Sequence, residues 1–103
     1  MKTTLSKVTI IAERLLKDRL LTLVRDKGAT GYTLTLVEGE GSRGVRASDW
    51  EGRNIKIESI ASPQVADAIF DAISAEYFED FAVIAWIDEV KVLRGNKFAK
   101  GEE

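Results

Sequence analysis

The order in which the hydrophobic period changes along the chain constrains the fold more than any single residue does. "KVTIIAE", near the start, is an apolar β-branched run bounded by charge, and predicts a buried strand. "RLLKDRLLTLVRDKG" follows with Leu16, Leu20, Leu23 and Val24 at helical spacing, and Gly28 stands where a helix C-terminal cap belongs. "GYTLTLV" alternates, with Tyr32, Leu34 and Leu36 on one side and Thr33, Thr35 and Val37 on the other. "NIKIESI" alternates again, with Ile55 and Ile57 opposed to Asn54, Lys56 and Glu58. Ser62 and Pro63 suit the N-cap and first position of a second helix, whose apolar stripe is Val65, Ile69, Ala72 and Ile73. "FAVIAWI" reads as a further buried strand and "VKVLRG" as a short extended piece, ahead of a charged tail, about 97–103, expected to be mobile.

The order β-α-β-β-α-β predicts an α+β protein with the ferredoxin-like arrangement, a four-stranded antiparallel sheet with two helices on one face. The other sheet face would carry Thr33, Thr35, Lys56 and Glu58 beside apolar residues, as a platform in water or an interface in an oligomer. No repeat or linker divides the sequence, so residues 1–103 are expected to form a single domain.

Composition narrows the chemistry. The chain has no cysteine and no histidine, which removes disulfides, thiolate nucleophiles, imidazole bases and nearly all zinc or copper sites. Its net charge of −2 gives no footprint for general binding to nucleic acid. The apolar runs fall short of the ~20 residues that span a bilayer, and "MKTTLSKVTII" lacks the pattern of a signal peptide. A cytoplasmic location is expected.

Between the second and third strands lies "VEGEGSRGVRASDWEG", whose Gly39, Gly41 and Gly44 match the G-x-G-x-x-G spacing of a dinucleotide site. That reading requires a helix directly after the glycines, and "VRASDWEGRN" holds turn signals instead. Gly41-Ser42-Arg43 also lacks the lysine of a P-loop. The stretch still suits an anion: glycines let backbone N–H groups converge, Ser42 adds a hydroxyl, and Arg43 and Arg46 offer planar forks. A solvated connecting loop is the alternative, although ~15 residues is long beside the 2–5 usual between paired strands. Trp50 within it either packs back onto the domain or anchors a partner.

Taken in order, "GYT", "GEGSRGVR", "NIKIE", "AEYFEDFA" and "VLRGNKF" resemble the PII-like signalling proteins, above all their SbtB and carboxysome-associated (CPII) branch. The resemblance runs over roughly residues 7 to 98. It implies a homotrimer of ferredoxin-like units that binds adenine nucleotides in clefts between subunits, with the long segment, about 39–53, as the T-loop. It implies ADP or AMP, and also ATP or cyclic AMP, as ligands, with bicarbonate beside them. A bicarbonate transporter or carboxysome-associated protein is implied as partner. Carried over residue by residue, Gly41, Ser42, Arg43 and Arg46 match the phosphate-holding base of the T-loop. Lys56 matches the lysine of the third strand, and the backbone at Ala82 and Val83 the lining of the adenine pocket. Arg94 matches an arginine of the closing strand that reaches phosphate. Lys56 and Arg94 also read as ordinary surface cations. The sequence departs from the pattern in lacking the glycine- and lysine-rich B-loop, in Asn96 where many relatives carry histidine, and in ending "AKGEE" without the cysteines of a redox tail.

Other functions fit less well. An RNA-recognition module shares the element order but needs aromatics on its central strands, and "KVTIIAE" and "NIKIESI" have none, so no nucleic-acid partner is expected. An enzyme hydrolysing a nucleotide or acyl phosphate would need a nucleophile or base; only Glu13 or Glu58 offers to position a water. A CutA-like trimer shares the fold, but without Cys or His no metal site is expected. The expectation is a non-catalytic regulator.

Overall fold

The computed structural model describes residues 2–39 and 54–94. Strand β1 (Lys2–Glu13) leads through a 3-10 turn (Arg14–Leu16) into helix α1 (Lys17–Asp26), and β2 (Thr33–Val37) follows. Strand β3 (Asn54–Ala61), helix α2 (Pro63–Tyr77) and β4 (Ile84–Leu93) complete the order. The sheet is antiparallel throughout, in the order β2-β3-β1-β4, so β1 and β3 are central and β2 and β4 are the edges. The ferredoxin-like arrangement expected from the alternating periods is the one observed.

Two strands are longer than their apolar cores. β1 begins at Lys2, well before "KVTIIAE", and β4 runs unbroken where "FAVIAWI" and "VKVLRG" read as separate pieces. One pairing explains both: β1 and β4 match residue for residue from Lys2–Leu93 to Ile11–Ile84. The charges that interrupt β4 sit in this ladder, where Asp88 faces Lys7. Continuous ladder pairing carries the strand through charged positions that an apolar pattern alone does not reveal.

The core lies between one sheet face and the two helices. Val8, Ile10 and Ala12 of β1 and Ile55 and Ile57 of β3 meet Leu20 and Val24 of α1 and Ile69 and Ile73 of α2, all buried. Each large aliphatic side chain among them contributes about 1.5–3 kcal/mol on leaving water. The Ser62 hydroxyl accepts from the Val65 N–H at 3.2 Å, capping α2 as its sequence predicts. Helix α1 ends in a Schellman turn, in which Gly28 N–H donates to the Arg25 carbonyl and Ala29 N–H to that of Val24. Gly28 has a φ of 115°, which only glycine adopts without strain.

Candidate ligand site

The register gathers one end of the sheet around β1. Val37 and Glu13 are both partners of Asn54, while Lys56 and Ile84 are both partners of Ile11. The roots of the 40–53 segment, Lys56 and the start of β4 therefore share this end. The Lys56 side chain extends from the face opposite the helices, between Ile11 and Thr35. It has no ion-pair partner among the described residues. Gly41, Ser42, Arg43, Arg46 and Trp50 lie outside the described residues.

Ala82 and Val83 lead into β4 at the same end, and their backbone is already engaged. The Ala82 N–H donates to the Glu13 carboxylate at 3.3 Å, and the Val83 N–H to the Phe81 carbonyl at 3.0 Å. With both donors spent, the segment offers carbonyl oxygens, which suit an amino group better than a phosphate. Its position is held from behind. The Arg19 guanidinium lies 5.1 Å from the Tyr77 ring centroid and 5.6 Å from that of Phe81, and the two rings are 5.7 Å apart. Such cation–π contacts tie α1 to the end of α2.

Arg94 is elsewhere. β4 carries it to the opposite end of the sheet, beyond the Lys2–Leu93 pair. The strand from Ile84 to Leu93 spans about 30 Å at the usual rise. One chain therefore brings Lys56, Ala82 and Val83 to one end and leaves Arg94 out. Arg94 has a φ of 62°, in the left-handed region where a side chain costs about 1 kcal/mol.

A second feature escaped the sequence reading. Lys7, residues 30–33, Glu58 and Ile60 line a hollow of about 390 Å³ beside the edge strand β2. The loop that walls it is pinned from the core side by the buried Ser59, whose hydroxyl donates to the Gly31 carbonyl at 2.7 Å. Arg25 stacks 5.6 Å from the Tyr32 ring, and Lys7 pairs with Glu58 at 3.2 Å. The alternation of "NIKIESI" puts Glu58 on the face of Lys56. That residues 30–33 fold against it depends on a contact across 28 positions, which no local pattern carries. The two carboxylates that read as water-positioning groups are thus separately engaged, Glu58 by Lys7 and Glu13 by Ala82.

The face opposite the helices is also apolar in part. Ile84 and Trp86 are 56% and 39% exposed there, flanking Ile11 and the buried Thr9, whose hydroxyl lacks a partner among the described residues. Among the described residues no group of Asp and Glu could hold a metal ion, and no helix is long and apolar enough to cross a membrane.

Comparison with known proteins sets these features in a family. The profile of the nitrogen regulatory protein P-II matches residues 5–97. A PII-like signalling protein of Thermus thermophilus is 49% identical, with 94% of this chain and 97% of that one aligned and a TM-score of 0.83. CPII of Thiomonas intermedia, a nitrogen regulatory PII-like protein solved with ADP, AMP and bicarbonate, is 22% identical over 96% of this chain and 97% of its own, with a TM-score of 0.83. GlnK of B. subtilis, solved as an ATP complex, is 18% identical over 84% and 83% of the two chains, with a TM-score of 0.62.

Proposed function

The chain belongs to the nitrogen regulatory protein P-II family, and on that premise we propose that it is a PII-like sensor of adenine nucleotide and bicarbonate. It binds ADP or AMP, with ATP and cyclic AMP as further candidates, in clefts between the subunits of a homotrimer. Ordering of the T-loop, about 39–53, is its output, and the process it regulates is inorganic-carbon uptake or carboxysome-linked carbon metabolism. Its partner is then a bicarbonate transporter or a carboxysome-associated protein. It acts by binding and not by catalysis.

The observation that carries this reading is that the site is incomplete in one chain. Lys56, Ala82 and Val83 stand at one end of the sheet, while Arg94 lies beyond the other end, the length of β4 away. A nucleotide that uses both sets needs two chains. The exposed Ile84 and Trp86 supply an apolar reason for chains to meet on that face. In such a cleft the hollow of one subunit takes the nucleoside, with Glu58 accepting from an amino group, while the carbonyls of residues 82–83 face it from the next. Lys56, Arg43, Arg46 and Ser42, with Arg94 of another subunit, then hold the phosphates through their side chains, joined by the backbone N–H groups at Gly41. The fold likeness to a CPII solved with ADP, AMP and bicarbonate supports the choice of ligands. Two or three charge-assisted hydrogen bonds at about 1.5–3 kcal/mol each, with a partly buried base, approach the ~8 kcal/mol of a micromolar complex. Bicarbonate is a planar anion and suits a forked arginine beside a phosphate.

The test is calorimetric titration of ATP, ADP, AMP and cyclic AMP, each with and without bicarbonate, with nucleotide turnover followed in parallel. Saturable binding that tightens with bicarbonate, with negligible turnover, is the expected result. Absence of binding to all four would remove the sensor reading and leave the arginine-bearing loop as a protein-docking element. Loop ordering is read from trypsin cleavage after Arg43, Arg46 and Arg53, which nucleotide with bicarbonate should slow.

A further inference from the structure

Resting on the nucleotide-binding reading, we infer that Glu13 is a specificity determinant of the cleft, which disfavours ligands carrying more negative charge. Its carboxylate sits 3.3 Å from the backbone nitrogen of Ala82, inside the ligand-lining segment, held there by that N–H. Glu13 is also the register partner of Asn54, the first residue of β3 after the 40–53 segment, and lies two positions along β1 from Ile11, the partner of Lys56. Two residues of strand are about 7 Å. A fixed negative charge thus shares this sheet end with Asn54, Lys56 and the segment before β4.

The carboxylate has two consequences for an incoming ligand. It occupies the Ala82 N–H, so the segment beside the ligand keeps no free donor there for an anion. It also repels each further phosphate charge drawn towards Lys56. For a phosphate charge held about 10 Å from the carboxylate, at an effective dielectric constant of ~40, between that of a protein surface and water, one unit charge changes affinity by about four-fold. The charged groups on this sheet face differ in sign: Lys56 attracts phosphate, Glu13 repels it, and Glu58 is neutralised by Lys7. An AMP-sized charge is tolerated and a triphosphate is penalised. Glu13 acts here through the field at the cleft and is not a catalytic residue.

The experiment compares the Kd values of AMP, ADP and ATP for the full chain and its Glu13→Gln variant, at low and at high salt, with thermal melting of both. The amide keeps an acceptor for the Ala82 N–H but removes the charge. The ratio of ATP to AMP Kd is expected to fall by at least about five-fold in the variant at low salt, and by less at high salt where the charges are screened. The same fall is expected in Glu13→Ala, a second variant that serves where the amide does not fold. A ratio unchanged in a folded variant overturns the inference while leaving nucleotide binding intact. If the unsubstituted chain binds none of the three, the sensor reading itself fails, and the role of Glu13 with it.

Discussion

Ser59 donates its hydroxyl to the carbonyl of Gly31 at 2.7 Å, a bond between the core-facing side of β3 and the loop that walls the hollow. Ser59 is buried, and it stands in the row of Ile55, Ile57 and Ala61 where an aliphatic residue would otherwise be expected. Its polarity is explained by that one acceptor. Ser59→Ala should lower stability by about 1 kcal/mol in denaturant melts, because the Gly31 carbonyl loses its partner. It should also weaken nucleotide binding, since the loop at 30–33 is no longer pinned. A variant that melts and binds like the parent would show that the loop holds itself.

What the sequence made legible was governed by distance along the chain. The helix start at Ser62, the cap at Gly28 and the buried faces of Leu20, Ile57 and Ile69 follow from patterns within a turn or two, and each is found where those patterns predict. The full lengths of β1 and β4 were not legible, since their outer residues are strand only because each has the other to pair with. The candidate site shows the same division. Lys56 is readable from strand alternation, but its meeting with Ala82 and Val83 at one sheet end, and the separation of Arg94 from both, are properties of the register. Leu36 marks the limit of alternation itself: it faces Ile55 on the core side yet is 45% exposed, because β2 is an edge strand.

Gly28 tests the local reading. Its φ of 115° is unfavourable for any residue with a side chain, and an added Cβ would lie 3.2 Å from Cγ2 of Val65 on α2. Strain and crowding act together, so Gly28→Ala should cost about 1–2 kcal/mol in thermal or chemical melts. Because Val65 is part of the core, a paired Val65→Ala substitution should recover the crowding component and none of the strain. Full recovery in the pair would mean that the backbone relaxes without cost.

Trp86 tests the assembly. It is 39% exposed on the sheet face away from the helices, next to the 56% exposed Ile84. An aromatic ring buried between chains dominates the energetics of such a contact, and a carboxylate in its place would be buried unpaired. Trp86→Glu should convert a species of three times the 11.4 kDa chain mass to single chains in light scattering, and nucleotide affinity should fall with it. An unchanged mass would move the interface to another face.

Arg94 tests whether local strain serves the ligand. Left-handed backbone at a residue other than glycine costs about 1 kcal/mol, and Arg94 is the one non-glycine residue among those described that adopts it. Were Arg94 an ordinary surface residue, glycine would be the better occupant, and Arg94→Gly should then raise stability or leave it unchanged with no other effect. If the strain is maintained because the guanidinium is needed at a neighbouring subunit's phosphate, the same variant melts no lower but binds nucleotide about ten-fold more weakly, the loss of one charge-assisted bond. Arg94→Lys separates charge from geometry, since an ammonium keeps the charge but not the planar fork. The expected order of affinity is arginine, then lysine, then glycine, read by calorimetry on folded protein. Equal affinity in all three would withdraw Arg94 from the site.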